Sequence, residues 1–323
     1  TEQTDFLDSD GRIIEFARAP RTPSEPNETL LSVVAFLGVM TLGFFAAMLF
    51  ELGNRKLRTT REYEEACSAD LRGVLPDLGR EKSLVIKILN GEAYRKFPAL
   101  YAFARKLRVS ALASERHLDS GPRIGDGYQG DTEAETPVDL ELPKRQGKIL
   151  AGASSVLGEG QSTSLLALAQ VLAEAGENVV LVDADFWNSS YSNRFAKLTS
   201  GRVINWGTKS YLCDSGTPRL KILPAKPSGL TEDARRDLAG FFGSKECEAI
   251  LADLANRFDR VIIDTPPLLD VVDTVALLSH ADQVIFFSRW KSTKKSLVQN
   301  AIRRLDDVSI RPAFCVATCV KLR

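Results

Sequence analysis

Residues 30–50 form the longest uninterrupted apolar stretch of the chain and carry no charged side chain. An α-helix of this length, at ~1.5 Å per residue, crosses the ~30 Å hydrocarbon core of a bilayer. A helix buried in a protein core is rarely apolar on all sides for so long. A signal peptide is disfavoured, because acidic residues precede the stretch and no small-residue cleavage site follows it. The pattern therefore predicts one transmembrane helix over residues 30–50.

The charges on the two sides of this stretch indicate its orientation. Four basic residues follow it within residues 55–61, whereas residues 1–29 contain seven acidic residues and three arginines. Because basic flanks are retained in the cytoplasm, we expect residues 1–29 to be an extracytoplasmic, proline-rich juxtamembrane segment. Since the chain begins at Thr1 rather than at a methionine, we expect a longer protein, in which an extracytoplasmic domain and a first membrane helix precede this segment.

Two segments of different character follow the apolar stretch. Residues 51–110 are mixed in charge and predict a cytoplasmic helical region, in which Pro98 should break or kink the basic amphipathic stretch 90–108. Residues 111–146 are rich in Gly, Pro, Ser, Asp and Glu and contain few large apolar residues. This composition is typical of a flexible linker.

From residue 147 to residue 323, short apolar runs alternate with segments of helical periodicity. The predicted strands are residues 148–154, 178–184, 219–225, 259–265, 282–288 and 313–319. The predicted helices are residues 161–176, 231–257, 270–280 and 294–307. Continuously apolar strands separated by helices predict an α/β fold, a P-loop NTPase-like parallel sheet with helices on both faces. In such a fold, ligands bind at the carboxyl ends of the strands.

The composition excludes some classes of function. Lys plus Arg and Asp plus Glu number 42 each, so no excess charge points to nucleic acid as a partner. The five cysteines form no CxxC pair, and the chain has only two histidines. This scatter disfavours a zinc site or a disulfide framework and suits a reducing compartment.

The first predicted strand of this domain runs into SSVLGEGQSTSLLALAQ (154–170). A strand, a glycine-containing loop and a helix in this order bind phosphates through backbone N–H groups. In the motif G-x-x-x-x-G-K-[ST], Ser155 takes the place of the first glycine and Gln161 that of the lysine. Two hydroxyl residues follow, so the magnesium-binding hydroxyl is retained. We therefore expect a phosphate loop that lacks its lysine.

Acidic residues follow two of the predicted strands. Asp183 and Asp185 come at the end of one strand, and Asp264 ends another. An aspartate after four apolar strand residues is the usual Walker B arrangement, which holds magnesium directly or through water. Together with the loop, these positions predict a magnesium–nucleotide site.

Several segments together resemble known families. LGEGQST (157–163), VVLVDADF (179–186) and VIIDTPPLLDVVD (261–273) are similar to the Walker A, A′ and B blocks of bacterial tyrosine kinases, the BY-kinases. PRTPSEP (20–26) before the apolar stretch resembles the proline-rich second membrane helix of polysaccharide co-polymerases, or chain-length determinants. These two parts occur fused in exopolysaccharide and capsule export systems. The resemblance covers the chain from about residue 10 to its end.

The resemblance implies ATP and Mg²⁺ as cofactors and roles for the matching residues. The implied nucleotide contacts are Gly158, Glu159, Gly160, Gln161, Ser162 and Thr163. The implied magnesium ligands are Ser162, Asp183 and Asp264. Asp183 and Asp185 would act in catalysis by organising the attacking hydroxyl.

The chain departs from the BY-kinase pattern in four places. Gln161 replaces the lysine, and residues 187–189 (Trp-Asn-Ser) replace the usual basic and proline-containing segment. Residues 92–98 match the first two positions of the ExxRxxR oligomer motif, but Pro98 takes the third. The family's kinases end in a tyrosine cluster, whereas the last tyrosine here is Tyr211.

These departures remove parts that phosphoryl transfer needs. Losing the lysine should weaken nucleotide binding roughly 10–100-fold and slow catalysis by ~10²–10³. We therefore interpret the chain as a co-polymerase or scaffold in exopolysaccharide or capsule export, with an impaired kinase-like domain. An active tyrosine autokinase, in which Lys291 or Lys294 replaces the lost charge, and a membrane-tethered positioning ATPase remain alternatives.

The resemblance also implies a location and partners. We expect the chain in the bacterial inner membrane, with its C-terminal domain in the cytoplasm. The implied partners are further copies of the chain in a homo-oligomer and the polysaccharide polymerase and export machinery.

Overall fold

The structure is a computed structural model that describes residues 28–53, 56–79, 84–120, 147–187, 191, 212–224 and 240–321. It divides into two compact units, Thr1–Asn54 and Arg55–Arg323. The predictions for the proline-rich residues 20–26 and for most of the predicted linker lie outside the described residues.

The described part of the first unit is one long helix, α1 (Glu28–Gly53). It begins two residues before the predicted stretch and ends three residues after it. The side chains of residues 28–49 are exposed throughout. Within the described residues, α1 is the one helix whose length and composition suffice to cross a membrane.

The described residues of the second unit form a sheet of eight strands. They are β1 (Leu71–Pro76), β2 (Lys148–Ser154), β3 (Val179–Asp183), β4 (Cys213–Asp214), β5 (Leu220–Leu223), β6 (Arg260–Asp264), β7 (Gln283–Arg289) and β8 (Phe314–Val320). Their order across the sheet is β1-β8-β7-β2-β6-β3-β5-β4. Neighbouring strands are parallel except for β4, which runs antiparallel to β5. The predicted α/β fold is confirmed, and β2, which precedes the phosphate loop, lies near the middle of the sheet.

Helices cover both faces of this sheet. On one face lie α3 (Leu84–Leu89), α4 (Glu92–Lys96), α5 (Pro98–Ser120) and α6 (Gln161–Glu174). On the other face lie α2 (Thr60–Cys67), α7 (Lys245–Arg257), α8 (Thr274–Leu278) and α9 (Lys295–Asp306). The buried apolar residues accordingly form two clusters, one on each side of the strands. The central strands β2, β3 and β6 are buried on both faces, which explains why they are apolar without alternation.

The region between α1 and the linker differs from its prediction. Residues 71–76 form β1 at the sheet edge, paired with β8, where helix was predicted. The misassignment arises because a short apolar run does not distinguish a strand from a helix by periodicity. The predicted break at Pro98 is present, since α4 ends at Lys96 and Pro98 begins α5. Proline is tolerated there because the first turn of a helix does not use its N–H group.

The structure also differs from two of the predicted element boundaries. Helix α5 continues to Ser120, ten residues into the segment that the composition predicted to be a linker. The helix predicted over residues 231–257 is interrupted at residues 243–244, and α7 starts afresh after Ser244, whose side chain caps it by accepting from the Cys247 N–H. Residues 231–239 lie outside the described residues.

A partly buried ion network explains why α5 extends so far. Arg260, the first residue of β6, donates to Glu115 of α5 and, over 2.7 Å, to Glu177 before β3. Arg108 of α5 also reaches Glu177, at 3.6 Å. The Arg260 and Glu115 side chains are each only 13% exposed. These contacts fix α5 to the amino ends of the strands, a tertiary effect that local composition does not reveal.

Replacing Arg260 with methionine should strongly destabilise this unit, because it leaves Glu115 and Glu177 half-buried without their cation. We expect the free energy of unfolding to fall by about 3–5 kcal/mol, as measured by urea unfolding of the purified chain in mild detergent. The matched control is Arg257→Met, which removes an exposed pair with Asp253 and should cost under about 1 kcal/mol. Equal losses in the two variants would contradict the assignment.

Candidate functional site

A tight loop, residues 155–160, connects the end of β2 to the start of α6. Gly158 and Gly160 adopt positive φ angles of 85° and 75°, which side-chain-bearing residues rarely adopt. At Gly160 an added Cβ would also lie 3.1 Å from the Thr318 Cβ. Glycine is therefore required at position 160 both by backbone conformation and by the close approach of β8.

The N-terminus of α6 opens into a cavity beside this loop. Its N-cap is Gly160, and no side chain caps the helix. The cavity has a volume of about 300 Å³ and is lined by Ser154, Val156, Leu157, Gly158, Glu159, Gly160, Gln161, Ser162, Thr163, Asp185, Thr265 and Pro267. Uncapped N–H groups and the positive end of the helix dipole attract anions. The six residues predicted to contact nucleotide thus line one cavity with the properties of a phosphate site.

Gln161 lacks the positive charge of a lysine, and its side chain also forms hydrogen bonds within the site. Its Nε2 donates to Asp264 Oδ1 and to the Thr265 carbonyl, both at 2.8 Å. The side chain is only 5% exposed, and its Oε1 has no hydrogen-bond partner. The residue in the lysine position is therefore fixed to the aspartate that ends β6.

Asp183 and Asp264 lie next to each other in the sheet. They are paired residues on the adjacent strands β3 and β6, and both are fully buried. Burial, and secondly the charge of Asp183, raise the pKa of Asp264 to about 8, although hydrogen bonds from Ser162 and Gln161 act in the opposite direction. Asp185, two residues after Asp183 in sequence, lines the cavity. At neutral pH, burial and the neighbouring carboxylates therefore favour the protonated form of Asp264.

The residues at this edge fit a magnesium ion that arrives with a nucleotide. The buried Oδ2 of Asp264 has no hydrogen-bond partner, and carboxylate and hydroxyl oxygens are ligands that Mg²⁺ prefers. Nowhere in the described residues do three or more His, Cys, Asp or Glu side chains converge to hold a metal by themselves. Magnesium typically uses one or two carboxylates together with substrate phosphates, which matches this sparse set.

Tyr191 is a residue of the site that the sequence did not indicate. Its ring is fully buried, its hydroxyl donates to the Ser162 carbonyl, and its N–H donates to Asp183 Oδ2 at 3.3 Å. Burial, followed by the charges of Asp264 and Asp183, raises its pKa well above the usual value. The motif blocks contain no signal for this contact, because Tyr191 follows the Walker A′ block. Of the altered segment 187–189, only Trp187 is described, and its N–H donates to Asp185 Oδ1 at 3.2 Å.

The described lining of the cavity contains no cationic side chain. Glu159 and Asp185 are among its residues, but lysine, arginine and histidine are not. Lys291 and Lys294, the predicted substitutes for the missing lysine, are both exposed and do not line the cavity. The alternative that either of them replaces the lost charge is therefore not supported.

Comparison with known proteins gives a consistent family and fold. A family described as an AAA domain matches residues 147–309. The succinoglycan biosynthesis transport protein ExoP of Rhizobium meliloti is 25% identical over 308 residues, which are 94% of this chain and 38% of that protein. The tyrosine-protein kinase CpsD of Streptococcus agalactiae is 31% identical over 180 residues, 52% of this chain and 74% of that protein. The chain thus spans well under half the length of ExoP.

A solved structure shows the same fold. The BceF tyrosine kinase domain superposes with a TM-score of 0.58 at 16% sequence identity, and the match covers 82% of this chain and 99% of that domain. The resemblance of the sequence to BY-kinases is thereby confirmed at the level of the fold.

The buried pair of aspartates predicts an unusual dependence of stability on pH. Because the pKa of Asp264 is raised from 3.8 to about 8 in the folded chain, the folded chain binds a proton that the unfolded chain has released. Its contribution to stability is therefore full below about pH 4 and is lost as the pH rises to about 8. Asp264→Asn should remove this loss, and we expect it to be more stable than the wild type by about 1–3 kcal/mol at pH 8.5.

Urea unfolding between pH 5 and pH 9, without magnesium, measures this difference. The stability advantage of Asp264→Asn should grow with pH from pH 5 to about pH 8 and then level off. Asp307→Asn, at an exposed position, serves as the control and should change stability equally at every pH. A constant difference for Asp264→Asn would contradict the raised pKa.

Proposed function

The chain belongs to the family of AAA-domain P-loop proteins that includes the tyrosine-protein kinase CpsD, and from this premise we propose that it is a membrane-anchored co-polymerase or scaffold of bacterial exopolysaccharide or capsule export. Its P-loop domain binds magnesium–ATP weakly and is impaired in phosphoryl transfer. The observation that carries this proposal is Gln161, fixed to Asp264 inside a phosphate cavity whose described lining has no cation.

The energetics of the cavity support weak binding rather than none. The uncapped N-terminus of α6 and the positive-φ loop remain, and these supply backbone N–H groups to phosphates. A charge-assisted hydrogen bond from lysine contributes ~1.5–3 kcal/mol, so its absence lowers affinity roughly 10–100-fold. The loss in catalysis is larger, because the lysine acts where charge develops in the transition state, and such groups are worth ~10²–10³ in rate.

Particular residues would hold the ligand in this proposal. The backbone N–H groups of residues 161–163 bind the phosphates. The Ser162 hydroxyl, Asp183 and Asp264 would hold magnesium, which when bound would neutralise phosphate charge. Asp183 and Asp185 are the groups available to orient an attacking hydroxyl, should the chain retain activity.

The process and the location are inferred from the relatives and from α1. ExoP, a protein of succinoglycan biosynthesis and transport, aligns with 94% of this chain, a match that exceeds the P-loop domain alone. Helix α1 is long and apolar enough to span a membrane, and a basic segment follows it. We therefore place the chain in the bacterial inner membrane with the P-loop domain in the cytoplasm, in a homo-oligomer that contacts the polysaccharide polymerase and export machinery.

Restoring the lysine tests this proposal directly. Gln161→Lys should raise the affinity for magnesium–ATP by about 10–100-fold relative to the wild type, because it returns a charged donor to the phosphates. Isothermal titration of the purified chain in detergent measures both affinities. The matched control is Gln299→Lys, which adds the same charge at an exposed position of α9 and should leave the affinity unchanged.

Phosphate release and phosphotyrosine content, measured on the same samples, separate the scaffold from an active autokinase. Micromolar binding of ATP by the wild type, accompanied by phosphate release or phosphotyrosine, would refute the impaired site. Identical affinities of the wild type and Gln161→Lys would show that the cavity has lost more than the lysine.

A further inference from the structure

The carboxylate of Glu159 is turned into the protein and is bound at both oxygens. Its Oε2 accepts from the Ser155 N–H at 2.6 Å, the Ser155 hydroxyl at 2.8 Å and the Val156 N–H at 3.1 Å. Its Oε1 accepts from the Thr293 hydroxyl at 2.6 Å. Only 2% of the residue is exposed. All four partners are donors, which favours an ionised carboxylate, whereas burial acts in the opposite direction and raises the pKa of Glu159.

These bonds join the two ends of the phosphate loop. Glu159 immediately precedes Gly160, the N-cap of α6, whereas Ser155 and Val156 begin the loop directly after β2. Ser155 stands where the motif has its first glycine, and both its hydroxyl and its N–H are used by Glu159. The buried carboxylate therefore joins the beginning of the loop to its end through hydrogen bonds.

Glu159 is also held by residues outside the loop. Thr293 lies in the connection between β7 and α9, is buried, and its Oγ1 also accepts from the Arg289 N–H at 3.3 Å. Thr318 of β8 donates from its hydroxyl to the Glu159 carbonyl at 2.6 Å. The side chain and the main chain of Glu159 are thus both held by the β7–β8 side of the sheet.

We propose that Glu159 is a positioning residue, which holds the loop in its phosphate-binding form before a ligand arrives, and that Thr293 fixes its carboxylate for this role. The proposal rests on the proposed nucleotide binding. A loop without its lysine depends on backbone N–H groups for affinity. Such groups bind best when their geometry is set in advance, because the ligand then does not have to order them.

The alternative to a positioning role is that the Glu159 carboxylate contacts the nucleotide directly. It is disfavoured by charge, because a carboxylate repels phosphates, and by geometry, because both oxygens are already bonded within the protein. Glu159 therefore acts on the ligand through the loop backbone, and its contribution should be reduced when Thr293 loses its hydroxyl, since the bond to Oε1 is then lost.

Thr293→Val, in the full chain in detergent, tests the proposal because it keeps the shape of the side chain and removes the donor. We expect the affinity for magnesium–ATP to fall by about tenfold. We also expect backbone hydrogen exchange in residues 155–160 to become faster in the absence of nucleotide. Thr293→Ser retains the hydroxyl and should restore both properties. Glu159→Gln, which loses the charge and places a donor beside other donors, should resemble Thr293→Val.

A control separates positioning from general stability. Thr217 also donates its hydroxyl to a backbone carbonyl, that of Leu89 at 3.0 Å, far from the loop in sequence. Thr217→Val should lower the thermal midpoint without changing ATP affinity or exchange in the loop. Equal losses of affinity in Thr217→Val and Thr293→Val would overturn the proposal in favour of a merely structural role.

The two readouts also distinguish this proposal from the proposed function. If the wild type binds ATP, unchanged affinity in Thr293→Val overturns the positioning role. If the wild type does not bind ATP, the proposed function fails, and the exchange measurement still decides the role of Glu159. Unchanged loop exchange in Thr293→Val then overturns it, and faster exchange that Thr293→Ser reverses upholds it.

Discussion

Two fully buried carboxylates, Asp183 and Asp264, lie side by side at the carboxyl edge of the sheet, and much of the site is arranged around them. Burying like charges together is costly unless one is neutralised or a cation is present. The raised pKa of Asp264 expresses that cost. Two hydrogen bonds partly offset this cost: Gln161 Nε2 donates to Asp264, and the Tyr191 N–H donates to Asp183.

A second constraint is the support of the loop from the connection between β7 and α9. Thr293 in this connection holds Glu159, and its carbonyl accepts from the Leu57 N–H at 3.4 Å, while the Lys291 N–H donates to the Leu57 carbonyl at 3.1 Å. Tyr63 of α2 stacks on Trp290, with ring centroids 5.4 Å apart. The residues that follow α1 in sequence therefore pack on the same connection that supports the phosphate loop, and they belong to the P-loop unit rather than to a separate region.

The sequence predicted what depends on local pattern. Apolar runs located six strands of the sheet, and motif spacing located Gly160, Gln161 and Asp264, because strand, loop and helix follow each other within a few residues. Contacts between distant residues were not predictable in this way. Glu159 was assigned to the nucleotide from its place in the motif, yet its carboxylate binds Thr293, 134 residues away. Strand β1 and the extension of α5 were missed for the same reason, since β8 and Arg260 determine them.

The residue at position 161 lies between the phosphate loop and the buried pair Asp183 and Asp264, and it affects both. A glutamine there can donate to Asp264 but brings no charge, so it neither attracts phosphates strongly nor lowers the pKa of the buried aspartate by much. A lysine would do both, because a nearby cation favours the ionised form of a carboxylate. In the proposed site, where glutamine stands in the lysine position, a magnesium ion would have to displace the proton from Asp264 and also neutralise the phosphates. The proposed nucleotide binding would therefore depend more strongly on magnesium and on pH than it would with lysine, since no described side chain of the cavity supplies the charge.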